Sequence, residues 1–119
     1  VANFINNLPS FIGFSNSVED ISDGSQTAIS VSTALTLLQT AGSNATTLAN
    51  GTVVGQIKII VHDTDGGTSV LTPATRLGYA DINFADDGDT ATLLWTGSAW
   101  AVLSTVAMAA DSGLVDIAN

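Results

Sequence analysis

The side chains equipped for chemistry are few and mostly acidic. His62 is the only imidazole, Lys58 and Arg76 are the only basic residues, and there is no cysteine. Carboxylates gather in two runs, Asp63-Thr-Asp65-Gly66-Gly67 directly after the histidine and Asp86-Asp87-Gly88-Asp89 further along. A general acid or base needs an orienting partner, and nothing in the sequence nominates one for His62 beside a turn. Paired carboxylates can hydrolyse glycosides, yet the Asp86–Asp89 run reads more simply as a solvated turn. The same oxygens suit calcium, but neither run has the spaced ligands and bidentate glutamate of an EF-hand loop. Trp95 and Trp100 flank Gly97-Ser98. Across a two-residue hairpin they pack together as core, whereas an exposed ring would make a platform for sugar. On these residues no enzymatic activity, cofactor or metal is expected.

Composition narrows the partners. The 119 residues carry 11 acidic and 2 basic side chains, a net charge of −9. Two cations cannot displace the counterions of a nucleic acid, and anionic membrane surfaces are disfavoured for the same reason. The acidic excess reads as solubility or as attraction to a basic patch on a partner. Charged residues make up 11% of the chain, against about 25% in an ordinary soluble domain, while a hydrophobic share of 45% speaks against disorder. Much of the surface is therefore Thr, Ser, Asn, Gly and Ala, which suits packing against copies or a scaffold and equally an ordinary Thr-rich β-domain. The length fits one domain, with a core large enough to fold without disulfides. No stretch is long and apolar enough to span a bilayer, and the N-terminus lacks the basic start of a secretory leader.

The elements that position these residues read as strands. Residues 1–28 keep no clean period and are taken as an N-terminal arm, with residues 29–119 as a single β-domain. Phe4, Ile5, Leu8, Phe11, Ile12 and Phe14 make the arm too apolar to stay in water, so it should dock on its own domain or on another subunit or scaffold. Ala28–Leu38 alternates as a strand, in preference to a short helix over residues 31–42 ending at Gly42. Asn50-Gly51 is a turn, and Gln56–His62 reads as a strand covered on both faces. Asp65, Gly66 and Gly67 form a hairpin turn in which a glycine takes positive φ, with Val70–Thr72 as the return strand. Ala80–Ala85, Thr90–Trp95 and Trp100–Leu103 follow, and Ala107–Asn119 is an ordered arm or a further strand. Regularly spaced hairpins predict an all-β fold, a compact antiparallel β-sandwich or barrel-like domain with an extended N-terminal arm. Ile57, Ile59, Val61, Trp95 and Trp100 are candidates for core or for a subunit interface. Two Asn-x-Thr sequons, at Asn44 and Asn50, matter only in a secreting eukaryote.

Seven short motifs occur in a telling order: Leu48-Ala-Asn-Gly-Thr52, Gly55-Gln-Ile-Lys58, Asp65-Gly-Gly67, Leu71-Thr-Pro73, Ile82-Asn-Phe84, Gly88-Asp-Thr-Ala-Thr-Leu93 and Gly97-Ser-Ala-Trp100. In that order the chain, from Ile29 to Ser104, resembles a β-rich module of tailed-phage virion proteins found in tail-fibre segments and small head proteins, especially of marine and cyanobacterial phages. The resemblance implies a non-enzymatic structural role, often as a homotrimer. A fibre subunit needs long repetitive or coiled-coil stretches for reach, and none is present. The expectation is a capsid decoration (cement) protein that binds the major capsid protein at the outer surface of the virion. A short tail-fibre or receptor-binding tip is the alternative, and a carbohydrate-binding module a second one.

Overall fold

The computed structural model describes residues 17–21 and 27–107, and within them the regular structure is entirely β. Nine strands follow one another: β1 (Val18–Ile21), β2 (Ala28–Ile29), β3 (Leu35–Gln39), β4 (Asn44–Leu48), β5 (Ile57–Thr64), β6 (Ser69–Pro73), β7 (Ile82–Phe84), β8 (Thr90–Trp95) and β9 (Trp100–Val106). They form a five-stranded sheet, in the order β1-β3-β5-β8-β9, and a four-stranded sheet, in the order β2-β4-β6-β7.

The pairing corrects the antiparallel expectation. β1 with β3, β3 with β5, β2 with β4 and β4 with β6 are parallel; only β5 with β8, β8 with β9 and β6 with β7 are antiparallel. A parallel neighbour cannot be reached through a tight turn. Successive strands up to β6 therefore alternate between the sheets, and the chain winds as a coil of three turns. β7 then folds back antiparallel on β6, while β8 and β9 extend the larger sheet. Neither sheet closes on itself, which removes the barrel-like alternative.

Several expected hairpins are in fact corners between sheets. The turn at Asp65-Gly66-Gly67 joins β5 in one sheet to β6 in the other, so Val70–Thr72 is no return strand beside β5. A corner and a hairpin ask for the same Asp and Gly residues, and local sequence does not separate them. Ala28–Leu38 is likewise two strands, with residues 30–34 as the corner. Val18–Ile21, inside the stretch read as an arm, is an edge strand of the larger sheet and places Ile21 in the core. The Gly97-Ser98 hairpin is present as expected: Thr96 N–H donates to the Ala99 carbonyl at 3.0 Å, and Trp95 lies opposite Trp100.

Period-two alternation builds one core from both sheets. Ile21, Leu38, Ile60, Leu93 and Trp100 face inward from the larger sheet and meet Ile29, Leu48, Leu71, Ile82 and Phe84 from the smaller. β5 is not covered on both faces. Lys58, Ile60 and His62 are buried, whereas Ile57, Ile59 and Val61 lie half-buried on the outer face.

Successive turns of the coil touch at their corners, and this is where glycine is needed. A Cβ on Gly66 would collide with the Thr40 carbonyl oxygen, and one on Gly67 would lie 2.6 Å from the Ser43 nitrogen. Gly67 does take a positive φ, of 159°, as expected, but at a corner and not a hairpin, and close backbone approach constrains both glycines. Gly66→Val should destabilise the fold by about 1–3 kcal/mol through overpacking. Gly42→Ala, at a position where a Cβ meets nothing within 4 Å, should stay within about 0.5 kcal/mol of the parent. Denaturant midpoints of the two variants check the contrast.

Candidate functional site

At one end of the coil His62 is locked into the fold. Its position in β5 places the ring inside, edge-on to Phe84 with centroids 6.4 Å apart. Nδ1 lies 3.0 Å from the Asp86 carbonyl oxygen. A carbonyl only accepts, so Nδ1 carries the proton. Nε2 lies 3.1 Å from Thr40 Oγ1. The same hydroxyl accepts the Gly66 N–H at 2.9 Å and lies 2.7 Å from the Gly67 carbonyl. The only histidine therefore joins the corners after β3, β5 and β7, and it is fully enclosed. It presents no nitrogen to a substrate.

The acidic turns are brought together, but their oxygens serve the backbone. Asp65 N–H donates to Asp87 Oδ1 at 2.6 Å, and Asp65 Oδ1 accepts the Gly67 N–H at 2.9 Å. Asp89, which is buried, accepts the Ala85 and Asp86 N–H groups at 2.7 and 3.0 Å. Among the described residues no three His, Asp or Glu side chains gather in a metal-binding group.

At the opposite end lies a buried lysine that the sequence reading did not single out. Lys58 shares the inward parity of Ile60 and His62, and that parity was the available signal. Its ammonium donates to the Thr33 carbonyl at 3.0 Å and reaches Thr33 Oγ1 at 2.8 Å. Burial pulls its pKa down to about 8, opposed by the negative charge of Glu19. Glu19 Oε1 accepts the Ser30 N–H at 2.9 Å and the Thr36 hydroxyl at 2.8 Å. Gln56 Nε2 donates to the Val31 carbonyl at 2.7 Å. The side chains of Lys58, Glu19 and Gln56 thus pin the corner at residues 30–34.

Trp95 and Trp100 pack with ring centroids 5.4 Å apart and planes tilted by 59°. Trp100 is wholly buried, with its indole N–H donating to the Ala49 carbonyl at 2.8 Å, and Trp95 is 6% exposed. Neither ring offers a face to a sugar. Gly51 lies directly against Trp95, where a Cβ would clash with the indole, so Asn50-Gly51 serves tryptophan packing.

What remains is surface. On the outer face of the larger sheet Val18, Leu35, Ile59 and Thr92 form one row across β1, β3, β5 and β8, and Leu37 and Val61 continue it in the next. Ile57 lies beside Leu94 on the same face. The outer face of the smaller sheet differs, with Ala45, Thr47 and Asn83 exposed. Ile57, Ile59 and Val61 are therefore surface candidates, while Trp95 and Trp100 belong to the core. Phe4, Ile5, Leu8, Phe11, Ile12 and Phe14 lie outside the described residues. A groove of about 500 Å³ opens between β7 and β9, with Leu77, Tyr79, Ile82, Val102 and Val106 among its walls. No protein-family model matches this chain, and no curated protein is similar to it in sequence.

Two outcomes follow from the buried polar groups. A lysine is ordinarily half-protonated near pH 10.5, and in the folded chain near 8. Between these values the unfolded chain binds more protons, so stability rises with pH through this window and levels off above it. The difference in unfolding free energy between the parent chain and Lys58→Met, followed from pH 7 to 11, should show that rise. Trp100→Phe leaves the Ala49 carbonyl without its indole donor and opens a void. It should cost about 2–4 kcal/mol, read from denaturant midpoints.

Proposed function

We propose that this chain is a structural protein of a tailed-phage virion, a sandwich-like decoration module that sits on the outer surface of the capsid and associates with copies of itself. The observation that carries this reading is the apolar outer face of the larger sheet. Leu35, Leu37, Ile57, Ile59 and Val61 lie there only half-buried, flanked by threonines on β8 and by Asp20 on β1. Contiguous apolar surface of this kind marks an interaction site. The interior supports the same reading from the other side, because His62, Lys58 and Asp89 are engaged with the protein's own backbone and serve architecture. The order of motifs from Leu48 to Trp100 supports the virion assignment.

In this reading the apolar face lies at the shared axis of a homotrimer, and residues 1–16 form the arm that anchors the trimer to the major capsid protein. The arm ends before Ser17, since Ser17 already holds the Ala34 N–H with its backbone carbonyl at 3.1 Å and its hydroxyl at 2.7 Å. The trimer should sediment at three times the 12.0 kDa of one chain. Ile59→Asp places a charge on the outer face and should yield folded monomers. Unchanged sedimentation of this variant, or a parent chain that is monomeric at micromolar concentration and on capsids, counts against the shared face. Deleting residues 1–16 should abolish binding to capsids stripped of decoration while leaving the trimer intact. A full chain that binds host cells and never capsids would instead be a receptor-binding tip.

A further inference from the structure

Four pairs in the chain set an acidic residue or its amide directly before a glycine: Asp23-Gly24, Asn50-Gly51, Asp65-Gly66 and Asp87-Gly88. The first lies outside the described residues. At such a pair the glycine nitrogen can attack the neighbouring side-chain carbonyl carbon, because no Cβ stands in the way. The nitrogen must shed its proton to do so, and a hydrogen bond that holds the N–H in the fold opposes this. At two of the pairs the fold supplies that bond. Gly66 N–H donates to Thr40 Oγ1 at 2.9 Å, and Gly88 N–H to the His62 carbonyl at 2.8 Å. Their side chains are engaged as well, since Asp65 Oδ1 accepts the Gly67 N–H and Asp87 Oδ1 the Asp65 N–H.

Asn50-Gly51 differs. The chain on either side of it is fastened: Ala74 N–H donates to the Leu48 carbonyl at 2.9 Å, the Trp100 indole N–H to the Ala49 carbonyl at 2.8 Å, and Thr52 N–H to Gln56 Oε1 at 2.8 Å. Between these anchors, among the described residues, no acceptor takes the Gly51 N–H and no hydrogen bond holds the Asn50 side chain. Asn50 is exposed to water. Its neutral amide is also a better electrophile than the carboxylates of the aspartate pairs.

We propose that Asn50 is a site of spontaneous deamidation in the folded protein, and that its isoaspartate product loosens the tryptophan pair of the core. The Gly51 nitrogen, its proton lost to solvent base, forms a bond to Asn50 Cγ. The bond from Cγ to the side-chain nitrogen breaks, and ammonia leaves. Water then opens the cyclic imide at either carbonyl, giving aspartate or isoaspartate with one new carboxylate. In isoaspartate the main chain runs through Cβ and Cγ and is longer than before. The lengthened link lies between two contacts of the core: the Ala49 carbonyl holds the Trp100 indole, and Gly51 packs directly on Trp95 with no room for a Cβ. A close-packed interior feels a displacement of this kind. The chemistry belongs to the chain itself and is independent of any virion role.

Peptide mapping by mass spectrometry tests it, with the full chain incubated at mildly alkaline pH in native buffer and, in parallel, unfolded in guanidinium chloride. Asn50 should convert in the folded chain within about tenfold of its rate in the unfolded chain, while isomerisation at Asp65 and Asp87 is slowed by more than that. Slowing of Asn50 beyond that range, or equal slowing at all three pairs, shows that the fold protects the site and overturns the proposal. The isoaspartate form, separated from the parent by its added charge, should unfold at a lower denaturant midpoint and with altered tryptophan fluorescence. Asn50→Asp carries the same charge on an unlengthened main chain and should match the parent in both. An isoaspartate form that also matches the parent overturns the link to the tryptophans.

Discussion

Parallel neighbours within a sheet can be joined only by chain that passes outside it, and this constraint ties the two sheets of the protein together. Each parallel step, from β1 to β3 to β5 and from β2 to β4 to β6, borrows its return path from the opposite sheet. The strands of each sheet up to β6 are therefore joined through the other sheet. The core reflects this, because its inward residues come from both sheets and make a single cluster. The antiparallel pairs at the other end close the arrangement, with Trp100 reaching back to Ala49 and the stretch around Thr75–Leu77.

A coil wound this tightly brings corners of successive turns into contact, and polar groups are buried there. Buried polar groups are tolerated only when hydrogen-bonded. His62 and Thr40 meet that need at one end, and Lys58, Thr33, Glu19 and Gln56 at the other. Their identities look chemical in the sequence, yet their partners are backbone carbonyls and amides of the corners. Charge buried in this way fixes geometry at some cost in stability, which is the physical reason for the depressed lysine.

With the interior committed to architecture, the distinctive features of the described residues are external. The larger sheet turns an apolar face outward and leaves one long uncharged edge, while the smaller sheet shows small and polar side chains. Such asymmetry is the surface feature on which the proposed self-association rests.

Much was legible in the sequence because it depends on local chemistry. Alternation in Ile57–His62 and Thr90–Trp95 marks strands, and Gly97-Ser98 marks a hairpin. What the sequence left open is which strands pair. Asp65-Gly66-Gly67 has the composition of a hairpin, and only the placing of β5 and β6 in different sheets shows that it is a corner. The direction of pairing follows from contacts between residues far apart in the chain, such as Leu35 with Ile59 or Ile29 with Leu48, and no local propensity encodes it. The same holds for β5. Its apolar run showed a strand, but that Lys58 and His62 face the core while Ile57, Ile59 and Val61 face outward was decided by register, because a shift of one residue exchanges the two faces.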